Sequence, residues 1–177
     1  MESGPLRRLP ALMMLLLALG VSQPAAGSEG ASVVQPEYAE PRVLFDFFFD
    51  HPAKIGPALH WIRGLINPLQ DRPFNMDPEF MDIVVLIHGT ELVTLARHNE
   101  PRYQQAVDRM RYYALLGVKF RVCGLALDDF GYTPEDLQPF VEVAPSAMTE
   151  LAHWQQQGYA LITPQVMERR VPLDEIR

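Results

Sequence analysis

Cysteine occurs once in the chain, at Cys123, so no disulfide can form within it. A single thiol also rules out the thiolate cluster of a structural zinc site. His51, His60, His98 and His153 lack metal-ligand spacing, so no metal is expected. Glycine-rich phosphate loops are missing as well: there is no G-x-G-x-x-G and no Walker loop. No cofactor is therefore assigned. No Gly-x-Ser-x-Gly surrounds Ser146, which reads as a helix cap rather than a nucleophile. Basic charge is in the minority, with 15 Lys and Arg against 22 Asp and Glu and a formal net charge of −7. That balance excludes nucleic acid as a natural partner. The acidic residues are dispersed, which suits solubility better than a binding tail.

Long apolar runs are also scarce, and the one near the start is short. Arg7 and Arg8 precede an apolar stretch over residues 9–21, and the small residues Ala25, Ala26 and Gly27 follow. This is the layout of a secretory signal peptide over residues 1–27. Its apolar part falls short of the ~20 residues that a membrane-spanning helix needs. The sequence thus predicts secretion across the inner membrane to the periplasm, and a mature chain with no integral membrane segment. Residues 28–41, with Gly, Ser and Pro, form a linker, and residues 42–177 are enough for a single domain with its own hydrophobic core.

Within that domain, β-rich runs alternate with helix-length segments. The runs fall at 43–49, 83–88, 119–123, 140–143 and 159–162. Such alternation predicts a three-layer α/β/α sandwich around a five-stranded, mainly parallel sheet. Val84, Val85, Leu86 and Ile87 are apolar without alternation, as in a strand covered on both faces, which places it centrally. Ile55, Leu59, Ile62, Leu65 and Ile66 mark one amphipathic helix between Pro52 and Pro68, and a second runs over 101–116 with Gly117 as its stop. Thr133, Pro134 and Asp136 open a short helix. Ser146 caps the last one, which ends before Gly158. The cluster Phe45, Phe47, Phe48 and Phe49 reads as core, and Asp46 within it points to an edge, a polar contact or a subunit interface. Residues 70–82 carry no pattern and are expected to be a surface loop.

In open parallel sheets, ligands bind beyond the carboxyl ends of the strands. Those ends carry Asp50 and His51, then His88, Gly89, Thr90 and Glu91, then Cys123 and Gly124, then Ser146. His88 is a candidate thiolate or anion partner, and Gly89, Thr90, Gly124 and Ser146 are candidate pocket residues. By residue type alone, Cys123 stays open between a free thiol, a link to another chain and a buried small apolar residue. Residue statistics favour the last, and a histidine closing a strand is most simply bonded to a loop.

Five blocks in order resemble the DsrE/DsrF-like family, whose members include sulfur-relay subunits. They are residues 83–89 with their His-Gly ending, 116–124 with the glycine–strand–cysteine pattern, the turn 131–137, the stretch 141–146, and 151–159 closing at Pro164. The resemblance implies a DsrE-like fold and a homo-oligomer. It also implies a persulfide-accepting role for Cys123, with sulfur donor or acceptor proteins as partners. The chain departs from the family pattern after Cys123, where Gly-Leu-Ala-Leu lacks a polar residue, and at Ala147, where relatives often have glycine. The expectation is an exported sulfur carrier or sulfurtransferase-like protein. The alternative is a non-catalytic, oligomeric module that binds a small anion or a protein and holds Cys123 as a structural residue.

Overall fold

The structure, a computed structural model, describes residue 1 and residues 30–177; the expected signal peptide, apart from Met1, lies outside the described residues. The chain divides into two units, Met1–Gln35 and Pro36–Arg177, and the fold belongs to the second. Among the described residues no helix is long and apolar enough to cross a membrane.

Five strands form one parallel sheet: β1 (Arg42–Phe47), β2 (Asp82–Ile87), β3 (Lys119–Cys123), β4 (Val141–Ala144) and β5 (Ala160–Ile162). Their spatial order is β4-β3-β2-β1-β5. Each parallel step needs a crossover, and α1 (Ile55–Gln70), α2 (Glu100–Leu115), α3 (Gly124–Asp129) and α4 (Ala147–Gln156) supply them. The first three steps run one way across the sheet. The last returns past β1, so the strand order reverses between β1 and β5.

Alternation along the strands sorts the two faces. Val43, Phe45 and Phe47 of β1, Ile83, Val85 and Ile87 of β2, and Phe120 and Val122 of β3 pack with α1 and α2 in the main core. Leu44, Val84, Leu86 and Cys123 face the other way, into a smaller cluster with Ala147, Trp154 and Tyr159. These two clusters make the three layers that the sequence predicts, with β2 at the centre.

Local differences have local causes. Pro68 lies inside α1 rather than after it, because the helix runs on to Gln70 and closes through Asp71 N–H donating to Asn67 O at 2.9 Å. The apolar stripe that ends in buried Leu69 carries the helix through the lost N–H. β1 stops at Phe47, and Phe48 is 67% exposed while Phe45, Phe47 and Phe49 are buried. Phe48 has the parity of Leu44, which turns it away from the main core. Residues 133–136 make a capping box on a three-residue 3-10 turn rather than a longer helix. Residues 70–82 include a 3-10 turn at Pro78–Phe80. Gly117 (φ 93) and Gly158 (φ 85) stop α2 and α4 in the left-handed region, as their positions predict.

One polar bridge ties the smaller layer to the sheet. Glu150 of α4 accepts from Arg121 Nη1 of β3 at 2.7 Å and from Trp154 Nε1 at 2.8 Å. Arg121 also lies over the Trp154 ring, 5.0 Å from its centroid, and pairs with Glu142 at 2.9 Å. Glu150→Ala leaves the buried Trp154 Nε1–H and the half-buried Arg121 Nη1 short of an acceptor, while Arg121 keeps Glu142. The expected cost is about 2 kcal/mol, read as a lowered urea midpoint in an unfolding curve followed by tryptophan fluorescence.

Candidate functional site

The carboxyl ends of β1 and β2 are fastened by their own backbone and by one buried carboxylate. His88 N–H donates to Phe47 O at 3.1 Å and Thr90 N–H donates to Phe49 O at 2.8 Å, which extends the ladder past both strands. Glu91, fully buried, accepts from Phe49 N–H at 2.9 Å and from Gly89 N–H at 3.0 Å. Its backbone carbonyl accepts from the Thr94 hydroxyl at 2.8 Å. Burial pushes the Glu91 carboxyl above its ordinary value, against the lowering effect of the backbone N–H groups of Glu91, Gly89 and Phe49 and of His88. Gly89 is required by close approach. A Cβ there would sit 2.5 Å from Phe49 N, Phe49 O and Glu91 Oε2.

This clamp presents His88 to Asp46. His88 Nε2 and Asp46 Oδ1 are 2.7 Å apart, and both side chains are largely buried, 12% and 16% exposed. The Phe48 ring stacks on the imidazole with centroids 4.7 Å apart and planes 10° from parallel. Asp46 is thus explained by a polar contact, one of the three readings its sequence context offered. Its partner lies 42 residues away, so no local pattern announces the pair. Asp46, Phe48, His88, Gly89 and Thr90 line a cavity of about 570 Å³, completed by Phe130, Lys54 and residues 163–166 after β5. It occupies the point where strand order reverses, the usual ligand position in such sheets.

Cys123 is held elsewhere. It is 6% exposed, packs on the α4 side of the sheet and serves as the N-cap of α3, its Sγ accepting from Ala126 N–H at 3.4 Å. The β2–β3 register ends at Ile87 opposite Val122, so His88 and Cys123 are the next residues on each strand. No hydrogen bond joins them among the described residues, and His88 is engaged with β1 instead. Gly124 lets β4 approach closely, since a Cβ there would lie 2.9 Å from Ala144 O. It borders a second hollow of about 400 Å³ with Leu125, Val143 and Pro145. Ser146 caps α4 by accepting from Thr149 N–H at 3.1 Å and lines neither hollow. The candidates therefore fall into three places: His88, Gly89 and Thr90 in the cavity, Cys123 and Gly124 at the β3–α3 junction, and Ser146 at a helix cap. Among the described residues no three His, Cys, Asp or Glu side chains converge as a metal site.

Two predictions test the clamp. Gly89→Ala forces Phe49 or Glu91 to move and should cost about 3 kcal/mol, measured as a lowered urea midpoint. Because folding raises the Glu91 carboxyl, its contribution to stability is full below the ordinary value of 4.5 and is lost as pH rises through the folded value. Glu91→Gln removes that titration. The difference between the two proteins' unfolding free energies should vary over that window and level off above it. A flat difference throughout contradicts the assignment.

The fold and site can be set beside known proteins. The DsrE/DsrF-like family matches residues 43–164, from the second residue of β1 to just past β5, and takes in both hollows except Gln165 and Val166. Among curated proteins none matches. A solved structure, that of the protein of unknown function MTH1491 from Methanobacterium thermoautotrophicum, is similar at 24% identity and a TM-score of 0.56. The match covers 70% of this chain and 99% of that one. At that identity the likeness speaks for the fold, a three-layer arrangement around a five-stranded parallel sheet. With the family matched over most of the folded unit, the chain belongs to the DsrE/DsrF-like family, a sulfur-relay-related family.

Proposed function

We propose that the protein is an exported, periplasmic sulfur carrier that accepts a sulfur atom on Cys123 as a persulfide and passes it to an acceptor thiol. The observation that carries this reading is the placement of the chain's one thiol at a strand end, capping α3 and accepting Ala126 N–H, in a sulfur-relay-related family. In the loading step the Cys123 thiolate attacks the sulfane sulfur of a donor. A new S–S bond forms, the donor's bond to that sulfur breaks, and the leaving group departs with the electron pair. In unloading, an acceptor thiolate attacks the outer sulfur and Cys123 leaves as thiolate, so no external oxidant is consumed. At 6% exposure the thiol is reached only when its cover moves, and that cover includes Ala126 of α3 and Ala147 and Trp154 of α4. The export part rests on Arg7, Arg8 and the apolar stretch after them. The homo-oligomer implied by the family resemblance belongs to the same proposal.

A second reading has its own observation. The cavity at the reversal point is lined by His88, Gly89 and Thr90 but not by Cys123, as in a binding module with a structural cysteine. Intact-mass analysis after incubation with thiosulfate or inorganic polysulfide separates the two. The carrier reading expects the wild type, and not Cys123→Ser, to gain one or more sulfur atoms that a reductant removes. If no adduct forms, and Cys123 stays silent to a thiol reagent until the protein is denatured, the carrier reading is lost and the binding module stands.

A further inference from the structure

We propose that the cavity between the ends of β1, β2 and β5 is a binding site for a small primary amine with an apolar body. The inference is independent of Cys123, which does not line it.

The first argument is the supply of donors. An anion site at a strand end relies on free backbone N–H groups, and those at the end of β2 are already used. Those of His88 and Thr90 donate to Phe47 O and Phe49 O, and that of Gly89 donates to the Glu91 carboxylate. The cavity's one lysine, Lys54, is paired with Asp50 at 2.7 Å. An anion would have to share that lysine with Asp50 and sit beside Asp46.

The acceptors are in the opposite condition. With His88 Nε2–H donating to Asp46 Oδ1, the neutral imidazole presents Nδ1 as a bare acceptor. Among the described residues neither that nitrogen nor the second Asp46 oxygen has a hydrogen-bond partner. Two carboxylates against one lysine give the lining a net negative charge, inside a chain whose own net charge is −7. That field concentrates cations. An ammonium group carries three donors and no acceptor, which suits a lining with free acceptors and a carboxylate.

The walls supply the rest. Phe48 and Phe130 line the cavity and remain 67% and 43% exposed. Aromatic faces beside a carboxylate accommodate a cation and the carbon skeleton attached to it. A volume of about 570 Å³ lies within the range of small-molecule sites.

The test is an NMR titration of the isotope-labelled protein at mildly alkaline pH, following the His88 and Phe130 signals. The probes are phenethylamine, phenethyl alcohol and hydrocinnamate, which differ mainly in charge. The expected result is saturable binding in the order amine, alcohol, carboxylate. Asp46→Asn should weaken the amine about tenfold and Phe48→Ala about threefold. Phe48 is exposed enough for the second variant to report even if the first fails to fold. The proposal is overturned if hydrocinnamate binds as tightly as the amine, if no probe moves these signals, or if a folded Asp46→Asn or Phe48→Ala variant keeps wild-type affinity for the amine.

Discussion

The strand-end architecture depends on a single buried carboxylate. Glu91 takes two backbone N–H groups, one from each of the segments that follow β1 and β2, at a level where the regular ladder has run out. Without it, two buried donors would lose their partners, at a cost comparable to a sizeable share of a domain's net stability. Burial opposes the charge that makes this clamp strong, so the carboxyl titrates above its usual range while still serving as acceptor. Gly89 is the steric complement of the same device, since the carboxylate occupies the space a side chain would need.

Face alternation then decides what each strand end can offer. Odd positions from 43 to 49 in β1 and beyond bury phenylalanine and valine against α1 and α2. Even positions meet α4 at Leu44, but further along they carry Asp46 and then Phe48, and these belong to the cavity. β2 repeats the change, passing from Leu86 in the smaller core to His88 at the site. A polar pair at this depth is tolerable because each member satisfies the other, and the Phe48 ring covers the imidazole face.

What could be read from sequence follows the same physics. The continuous run at Val84–Ile87 located the central strand because burial on both faces suppresses alternation. The strand 119–123 was legible to the residue because Gly117 and Gly124 bound it. Pro68 misleads because proline predicts a helix end, whereas the apolar stripe to Leu69 outweighs one missing N–H. Phe48 misleads because composition does not report which way a residue faces once its strand has stopped. The Asp46–His88 and Phe49–Glu91 contacts each span 42 residues, and no window of sequence contains both partners. The signal that was available is a charge inside an apolar run: Asp46 among phenylalanines and Glu91 beside Leu92 each imply a buried partner.

Strand order also separates the chain's two reactive-looking side chains. Cys123 ends β3 and the cavity opens between β1 and β5, with β2 and His88 between them. His88 turns toward β1 because Asp46 offers a carboxylate there, while the thiol beside it on β3 offers only a weak acceptor already engaged by Ala126 N–H. The Glu91 clamp fixes the backbone on the β1–β2 side, α3 follows the thiol directly, and the segment after β5 closes the cavity. Each belongs to one site alone among the lining residues that decide access, apart from Phe130, which directly follows α3 and also walls the cavity.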